Sequence, residues 1–103
     1  MDKIAALSEI LAADPSNAFA RYGLAMEYAS QGHSDLALTE FTTLIQHNPE
    51  YVPAYQMSAQ TLARLGRTPE AVDRLKQGLP IARRIGNAHA ASEMQTLLDE
   101  LQA

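Results

Sequence analysis

The sequence predicts an all-α fold of stacked antiparallel helix hairpins, on the basis of three observations. Apolar residues recur every three or four positions along most of the chain, which is the spacing of one helix face. Glycine and proline divide these runs into segments of helical length. A period of 34 residues with two helices in each unit predicts a helical repeat. With that shift, Pro15, Ala20, Ala25, Ala29, Gly32 and Ala37 fall on Pro49, Ala54, Ala59, Ala63, Gly66 and Ala71.

The stretch from Pro15 to Pro49 contains one complete unit. A first apolar run ends before Gly32, and a second run begins shortly after it. Gly32 suits the left-handed residue that ends a helix, and Ser34 is expected to cap the next helix. Because the connection is so short, the two helices are predicted to pack antiparallel.

The rest of the chain is predicted to continue this pattern in both directions within a single domain. Residues 1–15 are interpreted as a half-repeat, the second helix of a unit whose first helix is missing. Residues 16–49 and 50–86 are predicted to form two repeats, and residues 87–103 a capping helix. The half-repeat places four apolar residues on one face, namely Ile4, Leu7, Ile10 and Leu11.

The last helix of the second repeat is predicted to begin at Thr68-Pro69-Glu70, which supplies a cap, a first-turn proline and a first-turn acid. Pro80 removes a backbone donor and clashes with the preceding turn. The helix therefore either stops near Gln77 or kinks and continues to residue 86. The apolar spacing continues beyond the proline, which favours the kinked continuation.

The first unit contains Leu24-Ala25-x-x-Tyr28, then Ala37-x-x-x-Phe41, and ends at Pro49. These motifs resemble the Leu-Gly-x-x-Tyr, Ala-x-x-x-Phe and Pro pattern of the tetratricopeptide repeat family. Arg21 stands where that family usually has tryptophan. The resemblance implies a right-handed superhelix of about two and a half repeats, with an N-terminal half-repeat and a C-terminal capping helix. The second unit follows the pattern more loosely, through Tyr55, Ala59, Leu62, Ala71 and Leu75, with Ser58, Gly78 and Arg83 as departures.

Composition argues against several classes of function. The chain has 8 basic and 12 acidic residues, whereas nucleic-acid binding depends on neutralising phosphates. It has no cysteine, which excludes disulfides and thiolate chemistry. The N-terminal segment lacks the pattern of a signal peptide or a membrane span. We therefore expect a cytoplasmic protein with neither a nucleic acid nor a membrane as its partner.

No group of residues predicts catalysis. His33, His47 and His89 lack metal-ligand spacing and are interpreted as exposed side chains. Ser34 and Thr68 are explained as helix caps rather than nucleophiles. We expect no enzyme activity, no catalytic residue, no metal site, no cofactor and no small-molecule substrate.

Charge is distributed unevenly along the chain. Residues 1–50 hold two basic residues against seven acidic ones, whereas residues 51–103 hold six against five. The basic side chains of the second half either converge on an acidic peptide or a phosphate, or form a solvated rim with local pairs to Glu70 and Asp73. The rim is favoured because these residues are spread over two helices and a loop. They are Arg64, Arg67, Arg74, Lys76, Arg83 and Arg84.

The strongest candidate for binding is a stripe on the first helix of each unit. Stacked hairpins curve with their first helices on the inner side, so such stripes predict a concave, partly apolar groove. The alternative is that these side chains pack against neighbouring helices of the same chain. Some family members grip a terminal carboxylate with lysine, asparagine and arginine, but this chain has Tyr22, Met26, Met57, Asn87 and Ala91 at the matching places. The predicted groove consists of Phe19, Tyr22, Met26, Met57, Gln60, Arg64 and Met94.

Two functions follow from this groove. In the first, the protein is a scaffold that binds a peptide or a helix of a protein partner there. In the second, it is a structural subunit that uses the same apolar surface, or its terminal helices, to form a homodimer. A groove and a dimer interface require the same residue types, so the sequence leaves both hypotheses open.

Overall fold

The computed structural model describes residues 2–103, and over that range the chain forms six α-helices and no strand. The predicted all-α class is confirmed. The helices are α1 (Lys3–Ala13), α2 (Ala18–Ser30), α3 (Ser34–His47), α4 (Val52–Arg64), α5 (Thr68–Arg84) and α6 (Ala88–Leu101).

Two glycines one repeat apart end α2 and α4. Gly32 has φ 80° and Gly66 has φ 77°, a conformation that costs other residues energy because of their Cβ atom. The amide that follows each glycine donates back to the last turn of the helix, from His33 to the Tyr28 carbonyl at 2.9 Å, for example. The helix ends predicted from these glycines are confirmed.

Asparagine side chains begin two of the helices. The Asn17 and Asn87 side-chain oxygens accept from backbone amides three residues onward, at 2.9 and 3.0 Å. The caps expected at Ser34 and Thr68 are wrong, because both residues already lie inside the first helical turn. A single residue separates each turn glycine from its helix, and that residue occupies the cap position without a side-chain hydrogen bond.

The chain divides into two compact units, an N-terminal unit (Met1–Pro49) and a C-terminal unit (Glu50–Ala103). In the N-terminal unit, α2 packs against both α1 and α3. In the C-terminal unit, α4, α5 and α6 all pack against one another. The single-domain organisation and its repeat boundaries remain predictions.

Alanine lies where the paired helices meet. Ala25 and Ala37 in the N-terminal unit are fully buried, as are Ala59 and Ala71 in the C-terminal unit. Small side chains allow two helices to approach closely without loss of packing density. The fixed phase of these alanines therefore sets the register of each hairpin.

Helix α5 continues through Pro80 to Arg84, as the apolar spacing predicted. Beside the proline, Gly78 is buried, and a Cβ built on it would lie 2.6 Å from the Cβ of Tyr55. Any side chain at this position would overlap Tyr55. Glycine at position 78 is thus required by the packing of α4 on α5, in spite of its low helix propensity.

Candidate functional site

Small side chains place α2 against α1. Ala20 and Leu24 of α2 form a buried cluster with Leu11 of α1. At Gly23, an added Cβ would lie 3.4 Å from the Leu7 side chain, which is an ordinary contact distance. One side of α2 is therefore packed against α1.

An ion pair and a ring contact hold α2 against α3. The Arg21 guanidinium donates to the Glu40 carboxylate at 2.6 Å, and both side chains are mostly buried. It also donates to the backbone carbonyl of Pro15 at 3.0 Å. The rings of Tyr22 and Phe41 lie 6.2 Å apart between centroids, with a tilt of 57°. Arg21, at the position where tryptophan was expected, thus connects α2 to α3 and to the preceding loop.

These contacts leave one stripe of α2, which we call the α2 face, defined by Phe19, Tyr22 and Met26. Phe19 is 80% exposed, and the other two side chains are partly buried. The three residues lie at i, i+3 and i+7, so they share one side of the helix. Exposed apolar surface of this kind commonly marks a binding site on soluble proteins.

The predicted groove residues of α4, which we call the α4 face, are Met57, Gln60 and Arg64. Gln60 and Arg64 are exposed, and Met57 is partly buried. The opposite side of the helix is buried and includes two hydroxyl side chains, Ser58 and Thr61. Each hydroxyl donates to a carbonyl of its own helix, at 3.1 and 2.8 Å, so α4 buries them without an unpaired polar atom.

Comparison with known proteins identifies the fold. The tetratricopeptide repeat family profile matches residues 28–98, and a second profile of the same description matches residues 1–52. The chain belongs to the tetratricopeptide repeat family. Such repeats typically serve as non-enzymatic scaffolds and generally mediate protein–protein interaction. No curated protein matches the sequence of this tetratricopeptide repeat chain.

Solved structures resemble the chain over most of its length. A tetratricopeptide repeat domain protein from Salinibacter ruber is 34% identical with a TM-score of 0.80, and the match covers 85% of this chain and 89% of that one. A protein from Bordetella parapertussis is 25% identical with a TM-score of 0.85, over 99% of this chain and 89% of that one. The TPR2B domain of yeast Sti1, solved as a complex with pHsp70, is 19% identical with a TM-score of 0.89, over 96% and 79%. At that identity the last likeness shows the fold alone.

The structure changes the interpretation of two residues in the predicted groove. Tyr22 was expected to point away from the hairpin partner, but its ring contacts Phe41 of α3, so it lies at the edge of the α2 face. Met94 was expected in the groove, yet its side chain is fully buried, with its sulfur 3.2 Å from the Cβ position of Gly78. Met94 is a core residue of the C-terminal unit and is not available to a partner.

The basic residues of the tetratricopeptide repeat chain are partly engaged in local contacts. Arg67 donates two hydrogen bonds to Glu70 at 2.8 and 2.7 Å, as the interpretation of a solvated rim predicted. Arg84 lies 3.4 Å from Glu50, and Arg83 donates to the side chain of Gln95 at 2.9 Å. These pairs turn the guanidinium groups toward neighbours on the same unit.

The shifted pKa values have structural causes. Burial raises the pKa of Tyr55 and lowers the pKa of Arg74, which faces Tyr55 across α4 and α5. The hydrogen bonds from Arg67 lower the pKa of the exposed Glu70 carboxyl. An arginine remains a cation at neutral pH even when its pKa falls somewhat, so none of these shifts prepares an acid or a base for proton transfer.

The described part of the chain contains no group of three or more histidine, cysteine, aspartate or glutamate residues that could hold a metal ion. Within residues 2–103, no helix is both long enough and apolar enough to cross a membrane. A small cavity of about 280 Å³ lies at the turn between α5 and α6, lined by Arg83, Gly86, Ala88 and Ala91. The Arg83 guanidinium is directed at Gln95, so this cavity offers little polar chemistry.

Sequence reasoning missed several large apolar side chains that lie exposed near helix ends. Ile10 is 45% exposed and Leu36 is 50% exposed, both in the N-terminal unit. Their positions in the apolar pattern predict burial. The pattern does not show how far a neighbouring helix covers each side chain, so it did not identify these two as exposed. They provide matched controls for Phe19, since they are apolar and exposed but lie off the α2 face.

Proposed function

We propose that this chain is a protein–protein interaction scaffold that binds a peptide or helix of a protein partner through exposed residues of the α2 face and of the α4 face. The proposed contact residues are Phe19, Tyr22, Met26, Met57, Gln60 and Arg64. The proposed setting is the cytoplasm, and the proposed mode of action is binding without catalysis.

The exposure of Phe19 is the observation that carries this proposal. A phenylalanine side chain transferred from water into an apolar contact gains about 1.5–3 kcal/mol. At 80% exposure Phe19 gains almost none of this within its own chain. A partner that covers it would gain this free energy, and Met26 beside it offers an adaptable apolar surface.

The fold supports the same function. Tetratricopeptide repeats generally mediate protein–protein interaction, and the TPR2B domain of yeast Sti1 has been solved in a complex with pHsp70. The α2 and α4 faces belong to the first helices of the two predicted repeats, and they share one pair of positions 34 residues apart, the partly buried Met26 and the exposed Gln60. A linear segment is the kind of ligand that fits such helix faces.

Selection from a random peptide library displayed on phage tests the proposal. Selected peptides would be titrated into isotopically labelled protein, and the amide shifts mapped by NMR. We expect the largest shifts on α2 and α4, and we expect Phe19→Ala to weaken binding at least about tenfold. Leu36→Ala is the control, since it removes an apolar side chain that is 50% exposed on α3, and it should leave the affinity unchanged.

The proposal fails if selected peptides perturb other surfaces, or if they bind Phe19→Ala as tightly as the unaltered protein. Light scattering separates the homodimer hypothesis from it. A mass twice that of the chain, which Phe19→Ala reduces to that of one chain, would assign the α2 face to self-association instead.

A further inference from the structure

The N-terminal unit, which carries the α2 face, has an excess of acidic side chains. Residues 2–49 carry six acidic and two basic side chains. Both cations are already paired, since Arg21 lies 2.6 Å from Glu40 and Lys3 lies 4.0 Å from Glu27. Glu9 and Asp14 are exposed, and Asp14 lies in the loop that leads into α2. A ligand that binds this unit therefore approaches a net negative charge, since both of its cations are already in ion pairs.

The apolar residues of the face have the spacing of a helix-packing seam. Phe19, Tyr22, Met26 and Ala29 follow one another at intervals of three, four and three residues. This is the spacing at which side chains of one helix fit between those of another. The seam runs from a large exposed ring at Phe19 to a small side chain at Ala29, and a second helix can pack its own side chains along it.

We propose that the partner on the α2 face is a cationic amphipathic α-helix, with apolar anchors on one side and lysine or arginine on its flanks. This inference rests on the proposed function and specifies the chemistry of its partner. The apolar anchors cover Phe19 and Met26, while the basic flanks complement the net negative charge of the N-terminal unit. An acidic peptide or an anionic lipid surface would meet repulsion at the same place.

The α4 face does not share this preference. It carries Arg64, which is exposed, and the neutral amide of Gln60. Residues 51–103 hold more basic than acidic side chains, in contrast to the N-terminal half. Selectivity for a cationic helix is thus a property of the α2 face and not of the whole protein.

Two synthetic helices of roughly 18 residues test the inference, a length of about five helical turns. They share leucine at i, i+3 and i+7, and they differ in having lysine or glutamate at every flanking position. Calorimetric titration should show the lysine peptide binding at least about tenfold more tightly than the glutamate peptide at low salt. The difference should shrink severalfold between about 50 and 500 mM NaCl, as screening shortens the Debye length.

Two pairs of variants show where the preference originates. Neutralising the N-terminal unit by Glu9→Gln with Asp14→Asn should reduce the lysine-to-glutamate ratio by about threefold or more. Asp73→Asn with Glu100→Gln makes the same change in net charge on the C-terminal unit, and it should leave the ratio unchanged. Phe19→Ala should weaken both peptides, because it removes the apolar anchor that they share.

Equal affinity for the two peptides, or tighter binding of the glutamate peptide, overturns the inference. If such peptides still require Phe19, the proposed function stands and only the charge of the partner is wrong. If neither peptide binds and library selection also yields nothing on the α2 face, the proposed function fails with it. Binding to phosphatidylserine vesicles that depends on Phe19 would also contradict the inference, because it would show a lipid as the ligand of this face.

Discussion

Helices α2 and α4 occupy equivalent positions in the two repeats, but only their buried sides are alike. Ala25 and its counterpart Ala59 are both fully buried. On the free sides, large apolar residues of α2 are replaced by proline and glutamine in α4: Phe19, Tyr22 and Met26 correspond to Pro53, Gln56 and Gln60. The buried alanines lie where the second helix of each hairpin packs closely, whereas exposed residues such as Phe19 and Gln60 contribute little to that packing.

The two units also differ in the residues at one equivalent contact between the paired helices. Tyr55 lies over Gly78 in the C-terminal unit, with the two residues so close that no side chain fits at position 78. The equivalent positions in the N-terminal unit are Arg21 and Leu44. The Arg21 guanidinium reaches Glu40, and Leu44 keeps a full side chain that is buried. In the C-terminal unit, the large Tyr55 ring is compensated by the absence of a side chain at Gly78, so the total side-chain volume between the two helices stays similar.

Replacing Gly78 with alanine should produce the largest loss of stability. The new Cβ would lie 2.6 Å from the Tyr55 Cβ and 2.9 Å from its Cγ, so the helices must separate. We expect a loss of about 2–3 kcal/mol in the free energy of unfolding, in spite of the higher helix propensity of alanine. Chemical denaturation measures it, and Gly23→Ala is the control, because its Cβ meets the end of Leu7 at 3.4 Å. Equal stability of the two variants would contradict the overlap at Gly78.

Ala37→Leu and Ala71→Leu test whether the two hairpins are equally close-packed. Both alanines are fully buried, so the added methyl groups have no free space. We expect each change to cost about 1–3 kcal/mol, with similar values for the two units. A denaturation midpoint that either variant leaves unchanged would show that the helix register around that alanine is wrong.

Removing the guanidinium by Arg21→Met should have an intermediate effect. The Arg21 and Glu40 side chains are only 16% and 20% exposed, so the change leaves a partly buried carboxylate without its donor. We expect a loss of about 1–2 kcal/mol. Arg67→Met is the matched control in the other unit, where the exposed pair with Glu70 should have no measurable effect on the melting temperature. An equally small effect at Arg21 would mean that its pair with Glu40 is solvated.

Phe19→Ser should have the smallest effect on folding. Its side chain is 80% exposed, so stability should change by less than about 0.5 kcal/mol. Binding of the peptides selected on the α2 face should nevertheless fall at least about tenfold. Pro53→Ser, at the equivalent position of α4, controls for the substitution itself. A large loss of stability in Phe19→Ser would show that this ring belongs to the core.

The helices and their ends could be predicted from local signals. The turn glycines and the apolar period are local features, and the 34-residue repeat is read directly from the sequence. The helices and their ends follow from them. The caps at Ser34 and Thr68 were predicted wrongly, because a shift of one residue at a helix start lies below the resolution of such patterns. Both Phe19 and Met94 were predicted as groove residues, but Phe19 is exposed and Met94 is buried, since the same apolar period describes a groove residue and a core residue.

The sequence by itself determined the secondary structure, the pairing of the helices and the family, because these depend on residue spacing along the chain. The tertiary structure decided which apolar side chains remain exposed. The Phe19 side chain is exposed and the Met94 side chain is buried, because neighbouring helices cover one position and not the other. Such contacts are made between residues far apart in sequence. It also showed why Gly78 is glycine and why Arg21 is tolerated in place of an aromatic residue, since each depends on a side chain of the opposite helix.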